Sequence, residues 1–272
     1  MAADPAKHYR CGCHYKDGLA RSRSIMRVAV ISDMHGNDLA FEAAEADIKK
    51  QTVDQIVCLG DAVQGGPQPA AVVQRLRRLE CPVVMGNADA WLVSGKETAD
   101  EGIPAERLKK MGEIRLWSLS RLTEDDIDFI ANFQPTVTLD LGNGIELLCF
   151  HGSPASFDDL ILPAASEEVF QKFLGGYADR VLTGGHTHAQ QIRRNGNYFF
   201  FNPGSIGFAY SHQQSEDNFR ADPWAEYAIL TAEDGQVSLE FRRLPFDAQE
   251  LIRIYRESGR PFAEDAIAQY QG

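Results

Sequence analysis

The sequence has no apolar stretch near the length of about 20 residues that a helix needs to cross a bilayer. It also has no block of basic residues, since 27 lysines and arginines stand against 39 aspartates and glutamates, for a formal net charge of −12. This balance argues against extended contacts with a nucleic-acid backbone. We therefore expect neither a membrane nor a long nucleic acid as a partner.

Cysteine is scarce, with five in 272 residues, and neither this odd number nor the spacing gives a disulfide framework. Cys58 and Cys149 lie within apolar runs and are expected to be buried. The N-terminal residues carry charges and lack the apolar core of a secretory signal. Together these absences favour a reducing, cytoplasmic setting.

Residues 1–25 are polar, and we expect a disordered leader followed by a single domain over residues 26–272. Met26 directly precedes the first apolar run and is an alternative start of the functional chain. Cys11 and Cys13, followed by His14, could bind a metal, but a partner pair is missing, so the leader is the favoured interpretation.

Short apolar runs, each followed by polar residues and glycine, recur along the chain. Their length and composition predict buried strands at residues 27–31, 55–59, 82–85, 145–150 and 180–183. Metal-competent side chains follow these runs: Asp33, His35, Asp61, Asn87, His151, His186 and His188. Open α/β sheets bind ligands beyond the carboxyl ends of their strands, so we expect these side chains to meet.

Taken singly, each of these motifs has an ordinary structural explanation. An Asp-x-His pair is often a surface turn, an Asp or Asn after glycine is common turn chemistry, and a lone histidine is often a satisfied core residue. The Gly-His-x-His motif at 185–188 is more specific, because alternate residues of an extended segment face opposite ways and need a turn to converge. The ordered set favours a metal site whose imidazole, carboxylate and amide ligands suit two divalent ions and phosphoester hydrolysis.

In this order the motifs resemble those of the calcineurin-like metallophosphoesterases, within them the smaller bacterial and archaeal phosphodiesterase-like branch. The matching stretches span roughly two thirds of the chain: ISDMHGN at 31–37, LGD at 59–61, GNAD at 86–89, FHGSP at 150–154, GGHTH at 184–188 and NPGS at 202–205. The resemblance implies an α/β fold of two mixed β-sheets packed face to face and flanked by helices, a four-layer α/β/β/α sandwich. It also implies an enzyme in which a hydroxide shared by two metal ions attacks phosphorus.

The same resemblance implies how the ligands are divided. One ion would take Asp33, His35, Asp61 and His188, and the second would take Asp61, Asn87, His151 and His186, so that Asp61 bridges them. Nitrogen and oxygen donors without sulfur suit Mn(II) or Fe(II), with Ni(II) and Zn(II) as alternatives.

One position departs from the family pattern. Family members commonly carry a histidine after the Gly-Asn pair, where it assists the leaving group, and this chain has Ala88. Asp89, which would orient that histidine, is retained, and we expect it to act in catalysis with Asp61 and Asn87. We expect metal binding to be kept and general-acid help from this position to be lost.

Two segments interrupt the pattern of strands and ligands. Residues 91–135 carry helical signals and are interpreted either as a cap over the metals or as an ordinary packed insertion. Residues 208–221 read as a long active-site loop. In that loop we expect His212 and Arg220 to bind substrate together with Asn87, although a solvated loop arginine is the alternative.

The function expected from the sequence is hydrolysis of small phosphate esters, with a phosphodiesterase of broad specificity as the first hypothesis. A serine/threonine protein phosphatase or a nucleotide phosphatase could use the same ions. A non-catalytic metal-binding scaffold is the third reading, favoured only by Ala88, because all the candidate ligands are present. A metal-dependent hydrolase of another bond fits the ligand set less well.

Overall fold

The computed structural model describes residues 25–96, 104–215 and 218–271, so the expected leader lies outside it except for Ile25. The strands are β1 (Ile25–Ile31), β2 (Gln55–Cys58), β3 (Val137–Asp140), β4 (Glu146–Cys149), β5 (Val181–Thr183), β6 (Gln191–Asn195), β7 (Tyr198–Asn202), β8 (Trp224–Glu233) and β9 (Gln236–Pro245). The helices are α1 (Asp38–Ile48), α2 (Pro69–Leu79), α3 (Asn87–Ser94), α4 (Ala105–Leu119), α5 (Glu124–Ala131), α6 (Glu167–Leu174), α7 (Ala248–Ser258) and α8 (Ala263–Ile267). Within the described ranges, no helix combines the length and apolar character that a bilayer crossing requires.

The strands form two mixed sheets, ordered β2-β1-β8-β9 and β3-β4-β5-β7-β6. In the first sheet β1 pairs in parallel with β2 and antiparallel with β8. In the second, β4, β5 and β7 are parallel, and the antiparallel strands β3 and β6 form its edges. The predicted fold class is confirmed.

Successive side chains of β1 face opposite sides of the first sheet, which shows how the layers of the fold are arranged. Val28 and Val30 face the core between the two sheets, whereas Ala29 and Ile31 face the helices on the outside of the first sheet. Both faces are therefore buried, which is why the strand is apolar at successive positions. On the outside of the second sheet, the Phe170 ring of α6 packs against Phe200 of β7, which completes the α/β/β/α order.

The predicted strand at residues 82–85 is wrong in extent. This segment makes only isolated parallel bridges, Cys58 with Val83 and Val84 with Gln134. The segment runs beside the last residue of β2 and then enters α3, so no longer ladder can form. Strands β8 and β9 form a long antiparallel hairpin, and β8 lies inside the first sheet beside β1.

The insertion predicted as helical contains α4, α5 and the second half of α3. Helix α5 begins with a capping box, in which Thr123 and Asp126 satisfy each other's backbone N–H groups. Ile130 of this helix joins the core on the outside of the first sheet, so α5 is packed structure. Helix α4 lies farther out, and its side chains reach the candidate site described next.

Candidate metal centre

The candidate ligands gather at the carboxyl ends of strands from both sheets. Loops after β1 and β2 run side by side, because Asp33 N donates to Gly60 O at 3.0 Å and His35 N donates to Asp61 O at 2.9 Å. From the second sheet, His151 follows β4 directly, and two further histidines follow β5. This is the edge at which α/β sheets bind ligands.

The backbone turns sharply at most of these positions. Left-handed conformations occur at Asp33 (φ 55°), His35 (45°), Asp61 (48°), His186 (67°) and His188 (54°). Such a conformation costs a non-glycine residue on the order of 1–3 kcal/mol and is concentrated at functional sites. For His186 and His188 it supplies the turn that an alternating segment needs to aim both rings at one place.

Hydrogen bonds across the two sheets hold the ligand loops together. His186 N donates to Asp33 Oδ2 at 3.2 Å, and Gly185 N donates to His151 O at 2.9 Å. The Asn202 side-chain amide donates to Gly185 O at 2.6 Å and so fixes the histidine loop from β7. The loops are thus positioned by main-chain contacts before any ion is considered.

Two groups of side chains within the described residues could each hold a metal ion. One contains Asp33, His35 and His188, the other contains Asp61, His151 and His186, and the ligand atoms of each group lie within 4.8 Å of one another. Asp61 Oδ2 lies 3.6 Å from His35 Nε2 and 3.4 Å from His151 Nε2. Asp61 therefore stands between the two groups.

Backbone carbonyls fix the orientation of three of the imidazole rings. The ring Nδ1 lies 2.6–2.9 Å from a carbonyl oxygen in each case: His35 at Gln64, His188 at Phe208 and His151 at Leu59. An Nδ1–H that donates to the carbonyl leaves Nε2 with a lone pair, which is the usual arrangement of a metal-binding histidine.

The Nε2 atoms face other acceptors rather than donors. His35 Nε2 lies 3.0 Å from His188 Nε2, and His151 Nε2 lies 3.0 Å from Asn87 Oδ1. Asp33 Oδ1 is buried without a hydrogen-bond partner among the described residues. Lone pairs at such distances repel unless a proton or a cation lies between them, so the donor set fits divalent ions.

The pKa shifts of the clustered side chains agree with a site that fits divalent ions. Burial alone would raise the pKa of Asp61, but His151 and His35 outweigh it and the pKa is lowered. Burial would lower the pKa of His151, yet Asp61 and Asp33 raise it to about 9 in the metal-free chain. Burial and the neighbouring His151 lower the pKa of His186 to about 4. The cluster thus attracts positive charge, which an ion would supply in exchange for protons.

Ala88 and Asp89 lie at the start of α3. The backbone N–H of Ala88 donates to Asp61 Oδ1 at 2.8 Å, so this position orients a candidate ligand through its main chain. The buried Asp89 carboxylate accepts hydrogen bonds from the N–H groups of Ala62 and Val63, at 3.1 and 3.2 Å. Burial, and then Asp61, raise the pKa of Asp89 to about 7. In this structure Asp89 holds the loop after β2.

A cavity of about 600 Å³ opens on the candidate ligands His35, Asp61, Asn87, His186 and His188. One wall comes from the helical insertion: Trp91, Arg107, Leu108, Lys110, Met111 and Ile114. The opposite wall comes from the C-terminal part of the chain: Tyr255, Arg260, Phe262, Asp265, Ala266 and Gln269. Helix α4 therefore contributes side chains to the lining of the cavity.

The two loop residues expected to bind substrate are not among the described residues that line this cavity. Arg220 is exposed, and its guanidinium donates to Ala268 O at 2.7 Å. The His212 ring donates to Thr187 O at 2.5 Å and packs beside Tyr210. The same loop reaches the cavity through Phe208 and Tyr210 instead.

Sequence reasoning missed the C-terminal wall. Arg260, Pro261 and Phe262 follow α7 in a segment without periodicity, and a single arginine before a proline carries no recognisable functional signal. Only the three-dimensional arrangement brings this segment to Gly65 and to the cavity that the candidate ligands line.

Comparisons with known proteins agree with the geometry. A family model described as the calcineurin-like phosphoesterase superfamily domain matches residues 26–234. An uncharacterized protein of Methanocaldococcus jannaschii is 28% identical over 241 residues, which are 82% of this chain and 89% of that protein. A metallophosphoesterase from Sphaerobacter thermophilus has a TM-score of 0.65 at 24% identity, covering 89% of this chain and 98% of its own. A hypothetical protein from Pyrococcus horikoshii has a TM-score of 0.73 at 18% identity, covering 91% and 99%.

Proposed function

Because the chain belongs to the calcineurin-like phosphoesterase superfamily and is therefore a metal-dependent phosphoric ester hydrolase, we propose that it hydrolyses small phosphodiesters at a dinuclear centre. The observation that carries the dinuclear part is a pair of close contacts, His35 Nε2 with His188 Nε2 and His151 Nε2 with Asn87 Oδ1, each at 3.0 Å. One cation at each contact would bind both atoms in place of a proton, and Asp61 lies within reach of both positions.

The ligand assignment follows the two groups of side chains. Asp33, His35 and His188 would hold one ion, His151, His186 and Asn87 the other, and Asp61 would contact both. Nitrogen and oxygen donors of this kind suit Mn(II) or Fe(II), with Ni(II) or Zn(II) as alternatives. When bound, the ions supply Lewis acidity, which activates water near neutral pH and offsets charge on phosphoryl oxygens.

The chain's own residues prepare this chemistry by orientation. Carbonyl oxygens of Gln64, Phe208 and Leu59 hold three imidazoles with Nε2 towards the centre. Ala88 N holds Asp61, and the Asn87 side chain lines the cavity, where it can contact a phosphoryl oxygen. No side chain at position 88 can donate a proton, so the leaving group must depart with little general-acid help from this helix.

The size of the cavity supports a small substrate. Its volume of about 600 Å³ lies within the range of small-molecule sites, and its walls come from α4 and the C-terminal segment. A folded phosphoprotein would need a flatter approach to the ions, so the small-molecule hypothesis is preferred over a protein phosphatase.

Metal analysis combined with kinetics tests the proposal. Purified protein should bind two equivalents of Mn(II) and hydrolyse bis(p-nitrophenyl) phosphate, and exhaustive chelation should abolish this activity. Asp61→Asn should weaken both ions, whereas His186→Ala should weaken one. Full turnover by verified metal-free protein, or two ions bound to Asp61→Asn with wild-type affinity, would contradict the dinuclear proposal.

A further inference from the structure

The cavity contains an arginine, Arg260, that forms no salt bridge among the described residues. Arg260 Nε donates to Gly65 O at 2.5 Å, and its Nη1 donates to Pro261 O at 3.0 Å and Phe262 O at 3.2 Å. Among the described residues, Nη2 makes no hydrogen bond and Arg260 forms no salt bridge. Building on the proposed function, we propose that Arg260 binds a second phosphate group of the substrate, separate from the phosphate that reacts.

The position of Arg260 relative to His35 separates the two phosphate sites. His35 presents Nε2 to the carboxylates and turns Nδ1 towards Gln64 O. Gly65 lies on the Nδ1 side, since a Cβ built on it would lie 3.7 Å from His35 Nδ1. Arg260 is anchored to the carbonyl of Gly65, which lies next to the Nδ1 side of His35. We therefore assign the second phosphate to this side of His35 and the reacting phosphate to the Nε2 side.

The guanidinium is held rigidly by the backbone of its own segment. Two of its hydrogen bonds go to carbonyls of the next two residues, and Phe262 adopts a left-handed conformation (φ 56°) that is strained for a bulky residue. The Tyr255 ring lies 5.5 Å from the guanidinium carbon. A pre-organised guanidinium loses little entropy when it binds a phosphate with its remaining N–H groups.

The surrounding charges favour an anion at this place. Burial lowers the pKa of the half-buried Arg260, and Tyr255 and Asp265, which raise it, offset this only in part. Lys110 and Arg107 of α4 line the same cavity. Two acids line it outside the metal centre, Asp158 and Asp265, and Asp265 is paired with Lys110 at 2.8 Å. In a chain of net charge −12 this is a local concentration of cations.

The space between the two sites suits a flat or apolar spacer. The lining of the cavity includes the side chains of Trp91, Met111, Tyr210 and Phe262, whereas Gly65 and Gly66 contribute no side chain to it. We therefore assign to the cavity a substrate with two phosphates joined by a spacer of about nucleoside size, one phosphate reacting at the ions and the other held by Arg260.

Two matched chromogenic diesters test the inference. Thymidine 5′-(p-nitrophenyl phosphate) and its 3′-phosphorylated counterpart share the reacting group and the leaving group and differ only in the second phosphate. We expect wild type to prefer the 3′-phosphorylated ester by about tenfold or more in kcat/KM, mainly through KM, because a charge-assisted hydrogen bond contributes that much. Arg260→Met should reduce this ratio to about one, and Arg260→Lys should leave it intermediate.

Arg253→Met is the matched control, because Arg253 is an exposed arginine of α7 that pairs with Glu250 and Glu257 and does not line the cavity. It should keep the wild-type ratio. The melting temperature and metal content of each variant are measured in parallel, and Arg260→Lys serves if Arg260→Met does not fold. A wild-type ratio near one, or a full ratio in both Arg260 variants, would overturn the inference while leaving the proposed function intact.

Binding gives a second measurement that does not depend on turnover. Calorimetry with thymidine 3′,5′-bisphosphate and thymidine 5′-phosphate should give a ratio of dissociation constants of about tenfold in wild type. The ratio should fall to about one in Arg260→Met, be intermediate in Arg260→Lys and persist in Arg253→Met. If metal-loaded wild type hydrolyses neither diester, the proposed function fails, and the binding ratio alone decides whether Arg260 holds a phosphate. Equal affinities of the wild type for the bisphosphate and the monophosphate would reject phosphate binding by Arg260.

Discussion

Gly86 shows how closely the backbone approaches the candidate ligands. A Cβ at this position would lie 2.1 Å from Asp61 Oδ1, inside the contact distance of any two atoms. The residue directly precedes Asn87 at the start of α3. The loop therefore cannot move away from Asp61 without also moving Asn87, a second candidate ligand. Glycine here leaves room for the carboxylate that contacts both groups.

Gly86→Ala is therefore expected to displace Asp61 and to reduce metal content at a fixed free concentration of Mn(II), with a loss of about 1–3 kcal/mol in the free energy of unfolding. The control is Gly112→Ala in α4, where a Cβ meets nothing within 4 Å. That control should raise stability by about 0.5–1 kcal/mol and leave metal content alone. Unchanged metal content in Gly86→Ala would show that the loop can accommodate the added methyl group without displacing Asp61.

Ala88 faces the cavity at the position where a general acid is absent. Because general-acid help is worth about 10²–10⁴-fold, wild type should depend steeply on the leaving group, with activated aryl diesters turned over far better than alkyl esters. Ala88→His should flatten a plot of kcat/KM against leaving-group pKa by accelerating the poor leaving groups most. A shallow wild-type slope would indicate another proton donor. Asp89 remains beside this position, although its hydrogen bonds with Ala62 and Val63 compete for its carboxylate.

At the residue scale the sequence predicted which side chains meet but not how the chain turns to present them. Ordered motifs identified Asp33, His35 and His188 because each follows an apolar run. The left-handed conformations at these residues leave no trace in composition, since they are imposed by tertiary contacts. Arg220 was expected at the cavity and Arg260 was not. The sequence around a single arginine does not indicate which part of the folded chain its side chain will contact.

At the element scale, one carboxylate ties α1 to the hairpin β8–β9. Asp47 Oδ2 accepts hydrogen bonds from Tyr227 Oη at 2.6 Å and from Arg242 Nη2 at 2.8 Å. Burial raises the pKa of Asp47, but these bonds outweigh it and the pKa is lowered. A group with a lowered folded-state pKa stabilises the fold above its unfolded pKa and loses that contribution as the pH falls through the folded value.

Asp47→Asn should therefore reduce the free energy of unfolding by about 1–3 kcal/mol at pH 7, and the deficit should shrink below about pH 4 as the wild-type carboxylate is protonated. Urea unfolding at both pH values measures this. Glu42→Gln, at an exposed position of the same helix, is the control and should change stability by less than about 0.5 kcal/mol. A pH-independent deficit would point to packing rather than charge.

The sequence predicted elements best where one local signal decides them. Asp247 caps α7 and the Thr123 capping box begins α5, and both residue types are local signals for a helix start. The hairpin β6–β7 was not predicted, because polar residues at 193–197 interrupt any apolar alternation. Insertion of β8 between β1 and β9 also has no local signal, since strand order depends on contacts remote in sequence.

At the scale of the whole molecule, the ions should bind the folded state only, because their ligands come from both sheets. Mn(II) at 100 times its dissociation constant should then raise the free energy of unfolding by about 2.7 kcal/mol. Thermal unfolding across a Mn(II) titration measures this increase, with chelated protein as the reference. His186→Ala should show a smaller increase, and a melting temperature independent of Mn(II) would contradict binding at the centre.

His35 and His188 are 153 positions apart in the chain, yet their Nε2 atoms lie 3.0 Å from each other. During folding, contacts so remote in sequence form late, because the entropic cost of closing a long loop must be met before they can stabilise the chain. Neither group of ligands exists until the two sheets have docked, so ions cannot guide the early steps. The chain must reach its fold without metal, and the supply of ions afterwards determines which folded molecules are active.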